Sequence, residues 1–322
     1  MHAAAQNLRG GVSPRNTCLR GQSIIEYVLI AAVIGLVVIF AGPHVSGAIR
    51  NQFNQVTNTV DSGTEGNSFM SAEEKAYREA MKTVASKDAK DWTLDEQKAV
   101  ATDIAKNGTS SVVYAKAKAA MDAGTTYSLK LTNGVSMTYY IIGINHDDLA
   151  DGSGKAGLTF WANTNVLGSK SIQFNSSRST AGGWEKSELR QKMNSGEIWN
   201  LMPNEFKSAV KEVVKLTDNT GSGIAGTTSV TKDRLFCLSG YEAQTPLTLF
   251  EFHEGNTYEF FKGKLLNEKP SLEQQYKHVC WSRSLNRSDN RGFVYGLYTG
   301  YSNGCRSLYA DMTEQVCPAF CF

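Results

Sequence analysis

The sequence predicts an α+β fold with a long N-terminal hydrophobic helix, a helical spacer and a C-terminal domain of mixed α and β structure. Three observations predict this fold class. Residues 20 to 42 form a largely hydrophobic stretch that carries the single carboxylate Glu26 near its beginning, and a stretch of this length can lie in a bilayer as a helix. Segments rich in Ala, Lys and Glu then continue to Gly124 and favour helices. Beyond Gly124 the pattern changes to short strands with few helices and long loops, which is typical of α+β domains.

The hydrophobic helix is predicted to begin near Ser23 and to run toward Val60. The Gly42-Pro43 pair is expected to kink or interrupt it, because proline removes a helical hydrogen-bond donor. Beyond this pair, apolar residues recur at helical spacing at Val45, Ile49, Phe53, Val56 and Val60. The stripe predicts an amphipathic stalk that packs on another surface.

A Gly/Ser-rich linker from Asp61 to Asn67 precedes the spacer. Capping boxes at Ser71–Glu74 and Thr93–Glu96 predict two spacer helices, and a third is expected from Ser111 to Ala123. The chain of 322 residues then divides into a leader (1–21), a hydrophobic and amphipathic helix (22–60), a linker and helical spacer (61–124) and the mixed domain (125–322).

The strongest local signal in the mixed domain is Asn133-Gly134, which predicts a hairpin between strands at 126–132 and 135–144. Further strands are predicted at 157–161, 212–216, 235–238, 279–283, 293–298 and 316–320, and helices at 185–194 and 204–211. The domain is large enough to have a hydrophobic core of its own.

The charge balance argues against nucleic-acid binding. The chain has 33 basic and 31 acidic residues, and the leader holds Arg9, Arg15 and Arg20 but no acid. Removal of the leader therefore leaves 30 basic residues (33 minus 3) against 31 acidic ones. No basic surplus remains to attract a phosphate backbone, so no nucleic-acid partner is expected.

Cysteine usage is concentrated near the end of the sequence. Cys18 lies in the leader, and the others are Cys237, Cys280, Cys305, Cys317 and Cys321. An extracellular location permits disulfides, but an odd number leaves one cysteine over and the sequence does not fix the pairing. Buried reduced thiols are the alternative interpretation.

The segment from Gly21 to Tyr27 reads Gly-Gln-Ser-Ile-Ile-Glu-Tyr and leads into the apolar run. Over about residues 15–60 it resembles the class III signal of type IV pilins, and its Glu-Tyr pair is similar to the small Flp (Tad, type IVb) branch. The resemblance implies that a prepilin peptidase cuts after Gly21, which makes Gln22 the new N-terminus. It also implies that Glu26 pairs with the terminal amine of a neighbouring subunit, and Tyr27 matches the aromatic residue of this branch.

The physical chemistry of the segment agrees with that resemblance. The basic leader is expected to stay cytoplasmic, because positive charges are retained on that side of the membrane. A carboxylate within an apolar run needs a partner, and the new ammonium group at Gln22 supplies one. Two alternatives stay open: an ordinary secretory signal cut at Ala41–Gly42 or Ser46–Ala48, and a plain membrane anchor.

The mixed domain also carries short motifs of a recognisable kind, at 143–148, 158–160, 281–284 and 318–320. They resemble a bacterial surface-domain family of unassigned function, whose members are similar to the C-type-lectin-like fold. The resemblance covers about residues 112–322. It implies a lectin-like mixed α/β domain at the C-terminus. Ser282 and Cys317 depart from the commoner Leu and Arg of that family, which weakens any inference about shared binding chemistry.

The loop at 145–153 is the best candidate for an ion site, with Asp147, Asp148 and Asp151 as weak metal candidates. Calcium prefers several oxygen ligands from a flexible loop, but the spacing is not the alternating EF-hand one. A solvated turn is favoured over a calcium site, and no cofactor is expected.

Two groups of residues are candidate ligand contacts. Trp281 and Arg283 lie on one face of a predicted strand, where they suit either a sugar or peptide ligand or, as favoured, a core position with a buried ion pair. Tyr298, Tyr301 and Asn303 lie in a Tyr- and Gly-rich region whose composition suits either recognition loops or irregular turns.

The sequence as a whole predicts a pilin-like minor or tip subunit that displays a lectin-like domain for adhesion or ligand binding. The expected partners are a prepilin peptidase, other pilin subunits, the membrane before assembly, and a glycan or protein ligand. The protein is then located at the cell surface. The alternatives are a membrane-anchored surface enzyme or metal-dependent hydrolase, and a plainly anchored lectin-like adhesin. Catalysis is not expected, because no nucleophile motif or phosphate-binding loop occurs.

Overall fold

The computed structural model describes residues 72–222, 224, 226–243, 254–262, 280–286, 292–297 and 305–322. The predicted leader, hydrophobic helix and linker lie outside these residues, and with them Gly21, Gln22, Glu26 and Tyr27. Residues Ala72–Phe322 form one compact unit.

Helices dominate the first part of this unit. They are α1 (Ala72–Ser86), α2 (Leu94–Asn107) and α3 (Tyr114–Asp122), with 3₁₀ turns at Ala89–Asp91 and Gly108–Ser110. Four short helices come later: α4 (Gly183–Lys186), α5 (Glu188–Asn194), α6 (Glu197–Asn200) and α7 (Asn204–Lys207). A further 3₁₀ turn spans Glu259–Phe261.

A four-stranded antiparallel sheet is the centre of the unit, with the strand order β1-β2-β3-β11. Its strands are β1 (Thr126–Lys130), β2 (Ser136–Ile144), β3 (Leu158–Ala162) and β11 (Ala319–Cys321). Three smaller antiparallel sheets consist of β4 (Ile172–Gln173) with β10 (Thr313–Glu314), β5 (Val213–Asp218) with β6 (Thr228–Asp233), and β7 (Cys280–Leu285), β8 (Phe293–Leu297) and β9 (Cys305–Tyr309).

Local sequence signals explain the best-formed elements. The capping box of α2 is confirmed: Glu96 N–H donates to Thr93 Oγ1 at 3.2 Å, and Thr93 N–H donates to Glu96 Oε2 at 2.8 Å. The predicted hairpin is also confirmed, because β1 and β2 pair on either side of the Asn133-Gly134 turn. Gly134 has a φ of 86°, a conformation that glycine adopts without strain.

The helices and the central sheet share one hydrophobic core. Helix α2 buries Val100 and Ile104, and β2 buries Met137 and Ile141, all with less than 2% exposure. The approach between helix and strand is close at Gly157, where a Cβ atom would lie 1.8 Å from the carbonyl oxygen of Ala101. Helix α2 is therefore part of the folded unit.

The fold class predicted from the sequence is wrong. In the described residues the unit is a mixture of α and β structure with short helices, the longest of them α1 with 15 residues. The helices expected to form a spacer pack against the central sheet. They bury apolar side chains that a solvated spacer would expose. Within the described part of the chain, no helix has both the length and the apolar character needed to cross a membrane.

Candidate functional site

Five ionisable side chains meet inside the unit, next to the start of β5. They are Asp147, Lys215, Glu242, Glu254 and Arg283, and each is at most 4% exposed. Asp147 follows the end of β2, Lys215 comes from β5, Arg283 comes from β7, and the two glutamates come from the loops between β6 and β7. We call this set the ion cluster.

Lys215 connects the two ends of the ion cluster. Its ammonium group lies 2.7 Å from Asp147 Oδ1 and 2.6 Å from Glu242 Oε1, and it donates to the Tyr258 hydroxyl at 2.9 Å. The same hydroxyl donates to Asp147 at 3.0 Å, and Thr159 Oγ1 donates to Asp147 Oδ2 at 2.6 Å. Lys215 and Asp147 thus use their polar atoms within the protein.

Arg283 closes the other end of the ion cluster. Its Nη1 atom donates to Glu242 Oε2 at 2.5 Å and to the Cys237 carbonyl at 3.0 Å, and its Nη2 atom donates to the Glu254 carbonyl at 2.7 Å. Glu242 Oε2 also accepts from the backbone N–H of Ser239 at 3.1 Å. A buried ion pair needs such additional hydrogen bonds to offset the loss of hydration.

Glu254 differs from the other carboxylates because, among the described residues, no cation contacts its two carboxylate oxygens. Oε1 accepts from the backbone N–H of Asp218 at 3.1 Å, and Oε2 is hydrogen-bonded to Ser284 Oγ. Burial raises the pKa of Glu254 to about 7, although the nearby positive charge of Arg283 partly opposes this effect. The carboxyl group therefore keeps its proton in mildly acidic solution and loses it near neutral pH.

The other members are held in their charged forms. Burial alone would raise the pKa of Asp147, but the Lys215 ammonium outweighs it and lowers the pKa to about 2. The pKa of Glu242 is likewise lowered by Arg283 and Lys215 despite its burial. The pKa values of Lys215 and Arg283 are raised by these carboxylates, which outweigh the opposite effect of burial. With Glu254 protonated, two acids balance two bases.

A surface cavity of about 350 Å³ lies above the ion cluster. His146 forms one wall: its ring stacks on Tyr258 with the centroids 4.1 Å apart, and its Nε2 atom lies 3.2 Å from the Asn256 carbonyl oxygen. Burial lowers the pKa of His146, with the charge of Asp147 acting in the opposite direction. Histidine is therefore neutral at physiological pH and covers the Asp147 end of the ion cluster.

Most charged groups that line the cavity already have partners. Lys215 pairs with both Asp147 and Glu242, and the exposed carboxylate of Asp148 pairs with Lys155. The exchangeable proton of the ion cluster is on Glu254, whose side chain is fully buried against Ser284. The arrangement links β5, β7 and the loop after β2 through ion pairs and hydrogen bonds.

The raised pKa of Glu254 predicts an unusual pH dependence of the free energy of unfolding. In the unfolded chain a glutamate titrates near pH 4.5, but in the native protein it titrates near pH 7. Between these values the native state binds the extra proton, so the free energy of unfolding should fall as the pH rises, by up to about 3 kcal/mol. Glu254→Gln should remove this fall in urea titrations at pH 5, 6, 7 and 8, because glutamine imitates the protonated acid.

Two neighbouring groups have lowered pKa values, so their effect on the free energy of unfolding runs in the opposite direction with pH, and they serve as internal checks. His146, whose pKa is lowered, adds stability as the pH rises toward 6.5, and Asp147 contributes a constant amount above pH 5. Both effects occur equally in the wild type and in Glu254→Gln, so the difference between the two curves reports Glu254. Parallel curves would show that Glu254 is ionised in the native protein.

The predicted ligand residues of β7 lie in the interior. Trp281 is 1% exposed, donates from Nε1 to the Ile172 carbonyl at 2.7 Å and stacks edge-on against Phe174 at 5.8 Å. Arg283 is fully buried in the ion cluster. Trp281 thus occupies a core position, and Arg283 belongs to a buried ion pair with Glu242, which is the interpretation favoured above. Tyr298, Tyr301 and Asn303 lie outside the described residues.

The predicted metal candidates do not converge. Asp147 is buried in the ion cluster, Asp148 pairs with Lys155 at 2.8 Å on the surface, and Asp151 accepts from the backbone N–H of Ser153 at 2.9 Å. The described residues contain no group of three or more His, Cys, Asp or Glu side chains arranged to hold a metal ion. In the loop at 145–153 the expectation of a solvated turn fits Asp148 and Asp151, whereas Asp147 is buried, because its carboxylate pairs with Lys215.

Sequence reasoning missed the partners of these residues. Lys215 and Glu242 lie in segments without a motif, and Tyr258 gave no signal. A second missed contact joins Trp184 Nε1 to Asp233 Oδ2 at 3.0 Å, with Arg190 Nε donating to Asp233 Oδ1 at 2.6 Å. Lys215 lies on the buried face of β5 with Val213 and Thr217, and no local signal in the sequence distinguishes it from a surface lysine.

The five cysteines of the unit are buried free thiols: Cys237, Cys280, Cys305, Cys317 and Cys321. Burial raises the pKa of Cys237 and Cys280, and Cys280 lies beside Cys317. The thiol forms of Cys237 and Cys280 are therefore favoured, which makes these two residues poor nucleophiles. The five cysteines therefore match the alternative interpretation given above, that of buried reduced thiols.

Comparison with known proteins gives one family. The family described as "Domain of unknown function (DUF6273)" matches residues 157–322, just over half of the chain. No curated protein matches the chain. No solved structure matches it either. The matched region contains four of the five members of the ion cluster, and Asp147 precedes it.

Proposed function

We propose that this chain, which belongs to the DUF6273 family, is a pilin-like surface subunit that displays its compact unit for adhesion or ligand binding. The sequence from Gly21 to Tyr27 is the observation that carries the proposal. Cleavage after Gly21 creates an ammonium group on Gln22. The carboxylate of Glu26 in a neighbouring subunit pairs with it, because an unpaired charge in apolar surroundings is costly.

The compact unit supports a displayed role rather than a catalytic one. A catalytic site needs a group that is free to exchange a proton or to attack a substrate. In the ion cluster, Glu242 already pairs with both Lys215 and Arg283, and the ring of His146 packs on Tyr258. These contacts favour a rigid binding unit over the alternative of a surface hydrolase.

The proposed partners are those that process a pilin subunit and assemble it into a fibre. The apolar segment that starts at Gln22 is held in the membrane before assembly and contacts other pilin subunits afterwards. A prepilin peptidase is the processing partner. A unit as large as Ala72–Phe322 fits a minor or tip subunit better than a bulk one, because bulk Flp pilins are small.

N-terminal analysis of protein sheared from the cell surface tests this proposal. The expected mature chain starts at Gln22, with an N-methyl group detected by mass analysis. Glu26→Ala should still be exported, because the apolar segment is unchanged, but it should not enter fibres. Glu65→Ala, which removes an acid from the linker, is the matched control and should assemble normally. A chain that starts at Met1, or beyond Pro43, contradicts the proposal.

A further inference from the structure

The Lys215 ammonium group and the Asp147 carboxylate are close enough to react with each other. The Nζ atom lies 2.7 Å from Asp147 Oδ1, and both side chains are 3% exposed. The carboxyl carbon Cγ is one bond from Oδ1, and reacting atoms in a productive arrangement lie about 3 to 3.5 Å apart. The pair therefore has the proximity that amide formation between an amine and a carboxyl group requires.

Burial favours a neutral product at this position. The Lys215 Nζ atom lies 4.2 Å from the ring centroid of Phe236 and 5.3 Å from that of Tyr258, so aromatic rings replace much of its hydration. Two charges held in such surroundings carry a desolvation cost, and a neutral amide carries a smaller one. Condensation removes one acid and one base together, and it leaves Glu242 and Arg283 as a balanced pair.

Glu242 is placed to accept a proton from the amine. Its Oε1 atom lies 2.6 Å from Lys215 Nζ, and its Oε2 atom accepts from Arg283. The contact with Arg283 keeps Glu242 in its anionic form. Glu242 is therefore the proton acceptor, and Asp147 is the carboxyl group that reacts.

Hydroxyl groups hold the other oxygen of Asp147. Thr159 Oγ1 donates to Oδ2 at 2.6 Å, and the Tyr258 hydroxyl lies 3.0 Å from the same atom. Donors in this position stabilise the negative charge that forms on a carboxyl oxygen when an amine attacks Cγ. The surface cavity of about 350 Å³ has Asp147, Lys215 and Glu242 in its lining, so a released water molecule has a way out.

We propose that Lys215 and Asp147 condense to form an amide cross-link inside the folded unit, with Glu242 as the proton acceptor. The ammonium group first passes one proton to Asp147 Oδ1 along the 2.7 Å contact, which neutralises both partners. The electron pair of the amine then forms the N–C bond at Cγ, and the electron pair of the carbonyl moves to Oδ2. Glu242 takes a second proton from the nitrogen and passes it to the Oδ1 hydroxyl, which leaves as water while the carbonyl at Oδ2 forms again.

The reaction balances without a co-reactant. One N–C bond forms, one C–O bond breaks, one water molecule leaves, and Glu242 returns to its carboxylate form. The cross-link ties Asp147 to Lys215, which are 68 residues apart. Closing a loop of this length lowers the conformational entropy of the unfolded chain and so favours the folded unit. The inference goes beyond the proposed pilin-like role and does not depend on it.

Mass spectrometry of the purified full-length chain tests the inference. The denatured wild type should be lighter, by the mass of one water molecule, than the sum of its residues from the observed N-terminus onward. A tryptic digest should contain a branched peptide that joins Lys215 to Asp147, because trypsin does not cleave after an acylated lysine. A wild type with the full mass overturns the inference, and so does a branched peptide that joins Lys215 to Glu242.

Two variants and one native ion pair serve as controls. Lys215→Arg keeps the positive charge but provides no free amine, so it should have the full mass. Asp148→Asn changes the neighbouring exposed acid and should keep the mass of one water below the full value. The pair Lys155–Asp148 has a similar distance of 2.8 Å, but its side chains are 47% and 70% exposed, so it should stay unlinked. A lower mass that persists in Lys215→Arg, or a link at Lys155, contradicts the inference.

Two further variants test the mechanism. Glu242→Gln removes the proton acceptor and should leave the folded protein largely unlinked, with the fold checked by circular dichroism. Tyr258→Phe keeps the ring and removes only the hydroxyl donor, so its linked fraction should also fall, and it keeps the test decisive if Glu242→Gln does not fold. Linked fractions equal to that of the wild type in these variants contradict the proposed mechanism.

The two proposals fail separately. The start of the mature chain at Gln22 is measured on surface protein and is independent of the cross-link. A mature start at Gln22 together with an unlinked unit rejects the cross-link and leaves the pilin-like role intact. A linked unit in a chain that starts at Met1 does the reverse.

Discussion

Arg283→Met is expected to lower the free energy of unfolding by about 3 to 5 kcal/mol, because it leaves a buried charge without its partner. Arg283 is fully buried and makes three close hydrogen bonds, one to Glu242 and two to backbone carbonyls. Methionine has a similar length but provides no donor. Urea denaturation at pH 6 measures the loss.

A control and a double variant separate charge from packing. Arg178→Met removes a surface arginine that pairs with Asp311 at 3.2 Å, and it should cost less than about 1 kcal/mol, since that pair is largely solvated. Adding Glu242→Gln to Arg283→Met removes the unbalanced charge as well. We expect the double variant to be about 1 to 2 kcal/mol more stable than Arg283→Met alone. A double variant that is less stable by the full sum of the two single effects contradicts this electrostatic account.

Among the described glycines without a positive φ, Gly157 should be the one at which substitution by alanine is most harmful. Its new Cβ atom would lie 1.8 Å from the carbonyl oxygen, 2.6 Å from the carbonyl carbon and 2.8 Å from the Cα atom of Ala101. These are backbone atoms of α2, so no side-chain rotation relieves the contact. We expect a loss of about 3 kcal/mol or more, with faster amide hydrogen exchange in α2.

Gly152→Ala is the matched control for this prediction. Gly152 has a φ of 75° and open space around its Cβ position, so the substitution reports backbone strain alone. It should cost about 1 kcal/mol and should leave hydrogen exchange in α2 unchanged. If Gly157→Ala is as mild as Gly152→Ala, then α2 is not docked against the sheet and an independent helical spacer must be reconsidered.

The sequence predicted the elements whose causes are local. The capping box at Thr93–Glu96 and the turn at Asn133-Gly134 each specify their structure within four residues, and both predicted elements are present. The strand predicted at 279–283 is likewise present as β7. Its six residues are all buried, whereas a strand with one face in water would show alternate exposure.

The sequence did not predict contacts between distant residues. Lys215 and Asp147 are 68 residues apart, and Arg283 and Glu242 are 41 apart, so no spacing rule brings these side chains together. The strand β6 at Thr228–Asp233 was missed because its residues are mainly polar, and pairing with β5 rather than local preference forms it. The prediction of a helical spacer was wrong for the same reason. Helical propensity identifies α2, but the residues on which it packs, such as Gly157, lie far along the chain.

The place of β11 in the central sheet affects how the protein is made. Strand β3 pairs with residues 319–321, so its hydrogen-bonding edge stays open until about 160 further residues have been synthesised. An open edge of this kind invites pairing with other chains. A chain emerging from the ribosome therefore cannot complete its main sheet early, and a chaperone that covers the open edge of β3 would protect it from aggregation.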